Sequence, residues 1–148
     1  MKLNKIILAV IIFVALVLVL LVISRNDEET PPPGQPAATW ETKTDERPPV
    51  TVTVTPVEFG SGSKTWKFDV VFDTHSGSLD DNILTAASLI DDKGNAYQPI
   101  SWEGPGPGGH HREGVLVFSA VKPVSSFIEL KIKNVGGVAE RLFRWSLK

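Results

Sequence analysis

Three histidines and one glycine-rich segment hold most of the chemistry this chain offers. The segment is Trp102-Glu103-Gly104-Pro105-Gly106-Pro107-Gly108-Gly109-His110-His111-Arg112-Glu113-Gly114, with five of the chain's twelve glycines and two of its three histidines. The third, His75, follows an alternating apolar row, and Asp80, Asp81, Glu103 and Glu113 belong to the same two stretches. Imidazole and carboxylate donors suit Cu(II) or Zn(II), and the absence of cysteine excludes thiolate sites. A metal site of His75, His110 and His111 is therefore one expectation, with the acids fixing the ring tautomers. Two features oppose it. Adjacent histidines on an extended segment face opposite ways, and the long interval between His75 and His110 carries no short ligand signature.

The other expectation is contact rather than chemistry, through an interaction loop carrying Trp102, Glu103 and Arg112. Trp102 and Tyr97 together would make an aromatic platform. The loop lacks the Lys-Ser/Thr of a phosphate cradle and no strand–helix context follows it. Ser76 adjoins His75, but no nucleophile elbow accompanies it, so no hydrolase is expected. The region from Val50 to Lys148 holds 10 Lys and Arg against 11 Asp and Glu. That balance offers no field for nucleic acid. The chain is expected to be no enzyme and to need no cofactor unless the copper or zinc alternative holds.

These residues must be positioned by strands. Val50, Val52 and Val54 alternate with threonines, Trp66, Phe68, Val70 and Phe72 with mostly polar residues, and Ile128, Leu130 and Ile132 with charged ones. A last row runs through Arg141, Phe143, Trp145 and Leu147. Period two marks half-buried strands. Gly60-Ser61-Gly62, Asp91 to Asn95 and Gly136-Gly137 separate them as turns. Seven strands are expected, over Val50–Val57, Thr65–Asp73, Ala86–Ile90, Ala96–Ile100, Val115–Ala120, Phe127–Asn134 and Ala139–Leu147. The fold class is all-β, an antiparallel immunoglobulin-like sandwich, with a barrel as the alternative. Trp66 and Trp145 belong to its core. If every connection reverses direction, the loops after Asp73 and Ile100 share one end of the sandwich and bring the histidines toward each other.

The row from Trp66 to Phe72, the hairpin from Leu89 to Tyr97 and the late row from Phe127 to Asn134 resemble immunoglobulin-like or telokin-like domains. Such domains occur on single-pass membrane proteins and lipoproteins of bacteria and archaea. The resemblance implies a fold and an extracytoplasmic location, and carries over no site.

The amino-terminal third differs in kind. Ile6 to Ile23 is an unbroken run of 18 apolar residues, long enough as a helix, at about 27 Å, to meet the bilayer core. Lys2 and Lys5 precede it, whereas acids follow Arg25, which orients the carboxyl side outward. Residues 1–24 are expected to be a transmembrane signal-anchor. Residues 25–49, rich in proline and acid and poor in apolar residues, are expected to be a disordered linker. Residues 50–148 form the extracytoplasmic domain. The functional expectation is a single-pass protein of the cell membrane, held in the bilayer through Ile6–Ile23, whose domain outside the cytoplasm serves interaction with an envelope protein or assembly there. The alternative is a copper- or zinc-binding envelope domain.

Overall fold

Valine, threonine and aromatic residues alternating at period two cannot present one apolar face unless the chain is extended, and extended it is. The computed structural model describes residues 40–147; the apolar run Ile6–Ile23 and most of the proline-rich stretch lie outside the described residues. Nine strands and one helical turn follow in order: β1 (Lys43–Asp45), β2 (Val50–Glu58), β3 (Thr65–Thr74), α1 (Ile83–Ala86), β4 (Ala87–Asp91), β5 (Ala96–Tyr97), β6 (Ser101–Glu103), β7 (His111–Ser119), β8 (Phe127–Val135) and β9 (Val138–Ser146). They form two antiparallel sheets with strand orders β1-β2-β3-β7-β6 and β5-β4-β8-β9. Among the described residues no helix is long and apolar enough to cross a membrane.

The inner faces of the two sheets share one core. Phe68 of β3 lies 5.5 Å, centroid to centroid, from Trp145 of β9, and 5.9 Å from Phe118 of β7. Trp66 is fully buried, and its indole donates to the Gly60 carbonyl at 2.9 Å, which satisfies its polar edge. On the outer face, Thr44 of β1 pairs with Thr53 of β2, and Thr42, just before β1, with Thr55. The β2–β3 register shifts between Pro56 and Glu58. That irregularity accommodates a proline inside a strand.

Three sequence expectations need correction. The linker does not extend to residue 49 as featureless chain. Lys43–Asp45 pairs with Val52–Val54, and Trp40 packs on Phe59 at 4.8 Å. Polar residues and neighbouring prolines hid this strand, which is held by tertiary bonds rather than by its own composition. The Trp145 indole donates to Glu41 O at 2.7 Å, and Arg141 donates to Asp45 Oδ1 at 2.6 Å and to Arg47 O at 2.9 Å. The strand expected over Ala96–Ile100 is only Ala96–Tyr97, and Ser101–Glu103 crosses to the other sheet to pair with β7. Finally, β7 begins at His111 rather than Val115. Its inward-facing positions there are Arg112 and Gly114, neither of which reads as apolar. The stretch from Leu79 to Leu84 contains no strand. It ends in the single turn α1, capped by Asn82, whose side chain accepts from Leu84 N at 3.1 Å.

Candidate functional site

At one end of the sandwich the β3–α1 connection and the β6–β7 turn are joined by backbone hydrogen bonds. Thr74 N donates to His110 O, Leu79 N to Gly109 O and Gly108 N to Leu79 O, each at 2.9 Å. The two loops therefore do share an end, as the count of reversals anticipated. Leu79 is buried beneath them. The Thr74 hydroxyl ties the base of the first loop by donating toward Pro49 O and Ser76 O, at 2.9 and 2.7 Å. Between its strands the expected interaction loop is short, residues 104–110.

The three histidines lie on or beside these joined segments. Among the described residues no group of three or more histidine, aspartate or glutamate side chains is placed to hold a metal ion. His75 and His110 are exposed, and the His111 ring is engaged elsewhere. His111 sits opposite Asp73 in the β3–β7 register, with its Nδ1 2.6 Å from Asp73 Oδ1 and its Nε2 3.6 Å from Glu113 Oε2. The Asp73 hydrogen bond is the main cause of a His111 pKa raised above 6.5, and Glu113 adds to it. Next along this outer face, Asp69 is raised by partial burial and by the Glu113 charge. Glu103 lies opposite Val115 on this sheet and is exposed. A raised folded-state pKa adds stability that is complete below the unfolded value near 6.5 and is lost as pH rises through the higher folded value. Because the cluster is exposed, the effect on stability is small, and titration is the sensitive readout. Following the His111 ring protons by NMR should give a midpoint above 6.5 that falls when Asp73 is changed to asparagine. An unchanged midpoint would remove the pairing.

Trp102 and Arg112 do come together, and on the inner face. Trp102 lies across two glycines. A Cβ on Gly104 would meet its ring at 2.7 Å, and a Cβ on Gly114 would meet it at 2.8 Å. The ring stands edge-on to Phe72 at 6.3 Å, and its indole donates to Pro105 O at 2.8 Å. The Arg112 guanidinium is 5.8 Å from the centre of the same ring. Arg112 is only 2% exposed. Its Nη1 donates to Leu79 O at 3.0 Å and Asp81 O at 2.8 Å, its Nη2 to Pro105 O at 3.3 Å, and its Nε has no partner. Burial lowers its pKa, while the charges of Asp81 and Asp80 oppose that without touching it. Asp80 itself takes the Ser78 hydroxyl at 2.8 Å. Beside Trp102 and Arg112 opens a pocket of about 210 Å³ walled by Ile83, Leu84 and Pro107. Leu84 is 38% exposed at its rim.

Tyr97 takes no part in this pocket. It lies on the other sheet, where its hydroxyl donates to Asp91 Oδ2 at 2.9 Å. Asp91 also accepts from Lys93 N, Asn95 N and Asn95 Nδ2, and these donors, Asn95 foremost, push its carboxyl down to about 2. A carboxylate with four donors is the lock of a turn, so Asp91 offers no free acceptor to the neighbouring pocket of about 290 Å³. The two-residue platform expected of Trp102 and Tyr97 is not formed.

Sequence reasoning placed Trp102, Glu103 and Arg112 in one loop but missed that Glu103 faces the other way. It also missed Leu79, Ile83, Leu84 and Pro107. The available signal was the pair Gly104 and Gly114 flanking a tryptophan and an arginine, the spacing of a ring seat rather than of a mobile loop. Comparison with protein-family models, curated proteins and solved structures finds no match to this chain.

Proposed function

We propose that the chain is a membrane-anchored, non-enzymatic protein of the cell envelope, whose immunoglobulin-like domain makes contact with a partner through the loop end described above. The strand order supports the immunoglobulin-like reading. With β2 as strand A, the order β2-β3-β7-β6 corresponds to A-B-E-D, and β4-β8-β9 to C-F-G, with β5 flanking C. In this correspondence β1 is an addition to strand A. The anchor rests on Ile6–Ile23 and the orientation on Lys2 and Lys5. The non-enzymatic reading rests on the sequence, where Ser76 beside His75 has no nucleophile elbow.

One observation carries the contact reading: the loop end is built rather than loose. Three backbone hydrogen bonds join its two loops, and two glycines seat its tryptophan. Rigid scaffolds that display loops in this way commonly bind through them. Photo-crosslinking in the native cells tests it. A photoreactive residue at Leu84 or Pro107 should give a crosslinked envelope protein, and one at Ser61, beside the turn at the opposite end, should not. Equal yields from both ends, or none from the loop end, would overturn the reading.

A further inference from the structure

Among the described residues Arg112 is a buried cation that no carboxylate touches. Its three hydrogen bonds all go to backbone carbonyls, those of Leu79, Asp81 and Pro105. Burying a charge without an ionic partner is costly, and Arg141, its buried counterpart in the other sheet, has Asp45 at 2.6 Å. The pattern of bonds is informative. Both hydrogens of Nη1 are used, on Leu79 O and Asp81 O. Nη2 has only the long 3.3 Å bond to Pro105 O, and Nε has none. The unspent edge is therefore Nε–Nη2, which presents two parallel N–H groups and is one of the edges that grips a carboxylate with both oxygens. The Pro105 carbonyl is the acceptor at Nη2, and Gly106, next in the turn, has open space where a Cβ would stand.

The pocket beside Arg112 is walled mostly by apolar residues, Ile83, Leu84, Trp102 and Pro107, with Asn82 its other polar residue. Its volume, about 210 Å³, is below the roughly 300–1,000 Å³ of small-molecule sites. It holds one residue, not an extended ligand. A carboxylate and an apolar side chain that must fit together in so small a space have to branch from the same carbon. The last residue of a polypeptide does this. An internal Asp or Glu does not, because its apolar companion would come from a second residue.

We propose that this pocket captures the C-terminal residue of a partner polypeptide, with its α-carboxylate on the Nε–Nη2 edge of Arg112 and its apolar side chain between Leu84, Pro107 and Trp102. On binding, the carboxylate replaces the Pro105 carbonyl at Nη2, and that carbonyl swings away while Pro107 stays in the pocket wall. The inference rests on the contact reading above and narrows it to one kind of partner chemistry, the capture of a chain terminus.

The test uses the full 148-residue chain in detergent micelles. It is titrated with acetyl-Ala-Ala-Leu and acetyl-Ala-Ala-Phe, each as free acid and as terminal amide, while the tryptophan indole and glycine amide NMR signals are followed. The free acids should shift the Trp102 indole and Gly106 amide signals saturably, and the amides should bind at least tenfold more weakly. Leu84→Asp, at a position 38% exposed, should weaken the free acids at least tenfold by placing a like charge at the rim. Arg112→Lys keeps the charge but loses the two-pronged edge and should weaken them as well. Equal binding of acid and amide, shifts remote from the pocket, or no saturable shift would each overturn the inference. Crosslinks from Leu84 and Pro107 that persist without peptide binding would remove this inference alone, and their absence would remove the wider reading.

Discussion

Arg141→Ala should cost roughly 3–5 kcal/mol of folding stability, the range for breaking a buried ionic contact from one side. Arg141 is 0% exposed although it stands in an outer strand of its sheet. Its guanidinium holds Asp45 Oδ1 and the carbonyls of Asp45 and Arg47. Truncation would leave these acceptors short of donors and empty the space of a long stem. Two features keep the loss from being larger. The Arg141 Nε has no partner even now, and Asp45 would stay charged because Arg47, whose hydrogen bond is the main cause of its lowered pKa, remains. Equilibrium denaturation followed by tryptophan fluorescence measures the loss. The control is Arg144→Ala, an exposed arginine paired with Glu129, worth about 1 kcal/mol or less. Equal losses in the two variants would show that Arg141 is not a clamp. The same substitution should loosen the segment from Trp40 to Pro49 toward protease, since Arg141 is one of its ties to β9, beside the Trp145 indole on Glu41 O and Arg47 Nη2 on Glu140 O. If the anchor reading holds, that release would also lengthen the tether between bilayer and domain.

The second large effect is expected at Gly114. A Cβ there would lie 2.8 Å from Glu103 O, from Gly104 Cα and from the Trp102 ring. Two of these are backbone atoms of the neighbouring strand region and cannot swing away. Gly114→Ala should therefore cost about 2 kcal/mol, within the range for overpacking. It should also displace the Trp102 indole from Pro105 O, which its NMR signal reports. Gly62→Ala, with nothing within 4 Å of the added carbon, should change stability by less than about 0.5 kcal/mol. A Gly114→Ala protein as stable as Gly62→Ala, with an unmoved indole signal, would mean that the glycine seat does not set the tryptophan.

The second site is a place where alternation misleads. Arg112 and Gly114 occupy inward positions that period-two reasoning assigns to apolar side chains, so the expected strand starts four residues later than β7 does. Arg141, by contrast, falls within the alternating row of Phe143 and Trp145, and only its buried ion pair is new. Where inward residues are apolar the reading transfers closely: β2 starts at Val50 and β8 at Phe127, as their alternating rows require. Trp66 and Trp145 are buried as those rows imply. The histidines show the reverse limit. Their shared end followed from strand reversals, but the direction of each ring depends on cross-strand partners. His111 turned to Asp73, a residue that sequence spacing does not single out.

What the sequence by itself determined is an all-β domain with its main strands and turns, because a period of two is a local property that each segment carries alone. It also singled out the glycine-rich segment from Trp102 to Gly114 as the stretch densest in chemistry-bearing residues. Only the tertiary structure decided that this segment is a seat for Trp102 over a buried Arg112, and that part of the apparent linker is a strand held by Arg141 and Trp145. The physical reason is the same in both cases. A buried arginine or a strand-bound glycine is stable only through partners distant in sequence, Leu79 and Asp81 for Arg112 and Asp45 and Arg47 for Arg141. Those partners exist only once the two sheets have closed on each other.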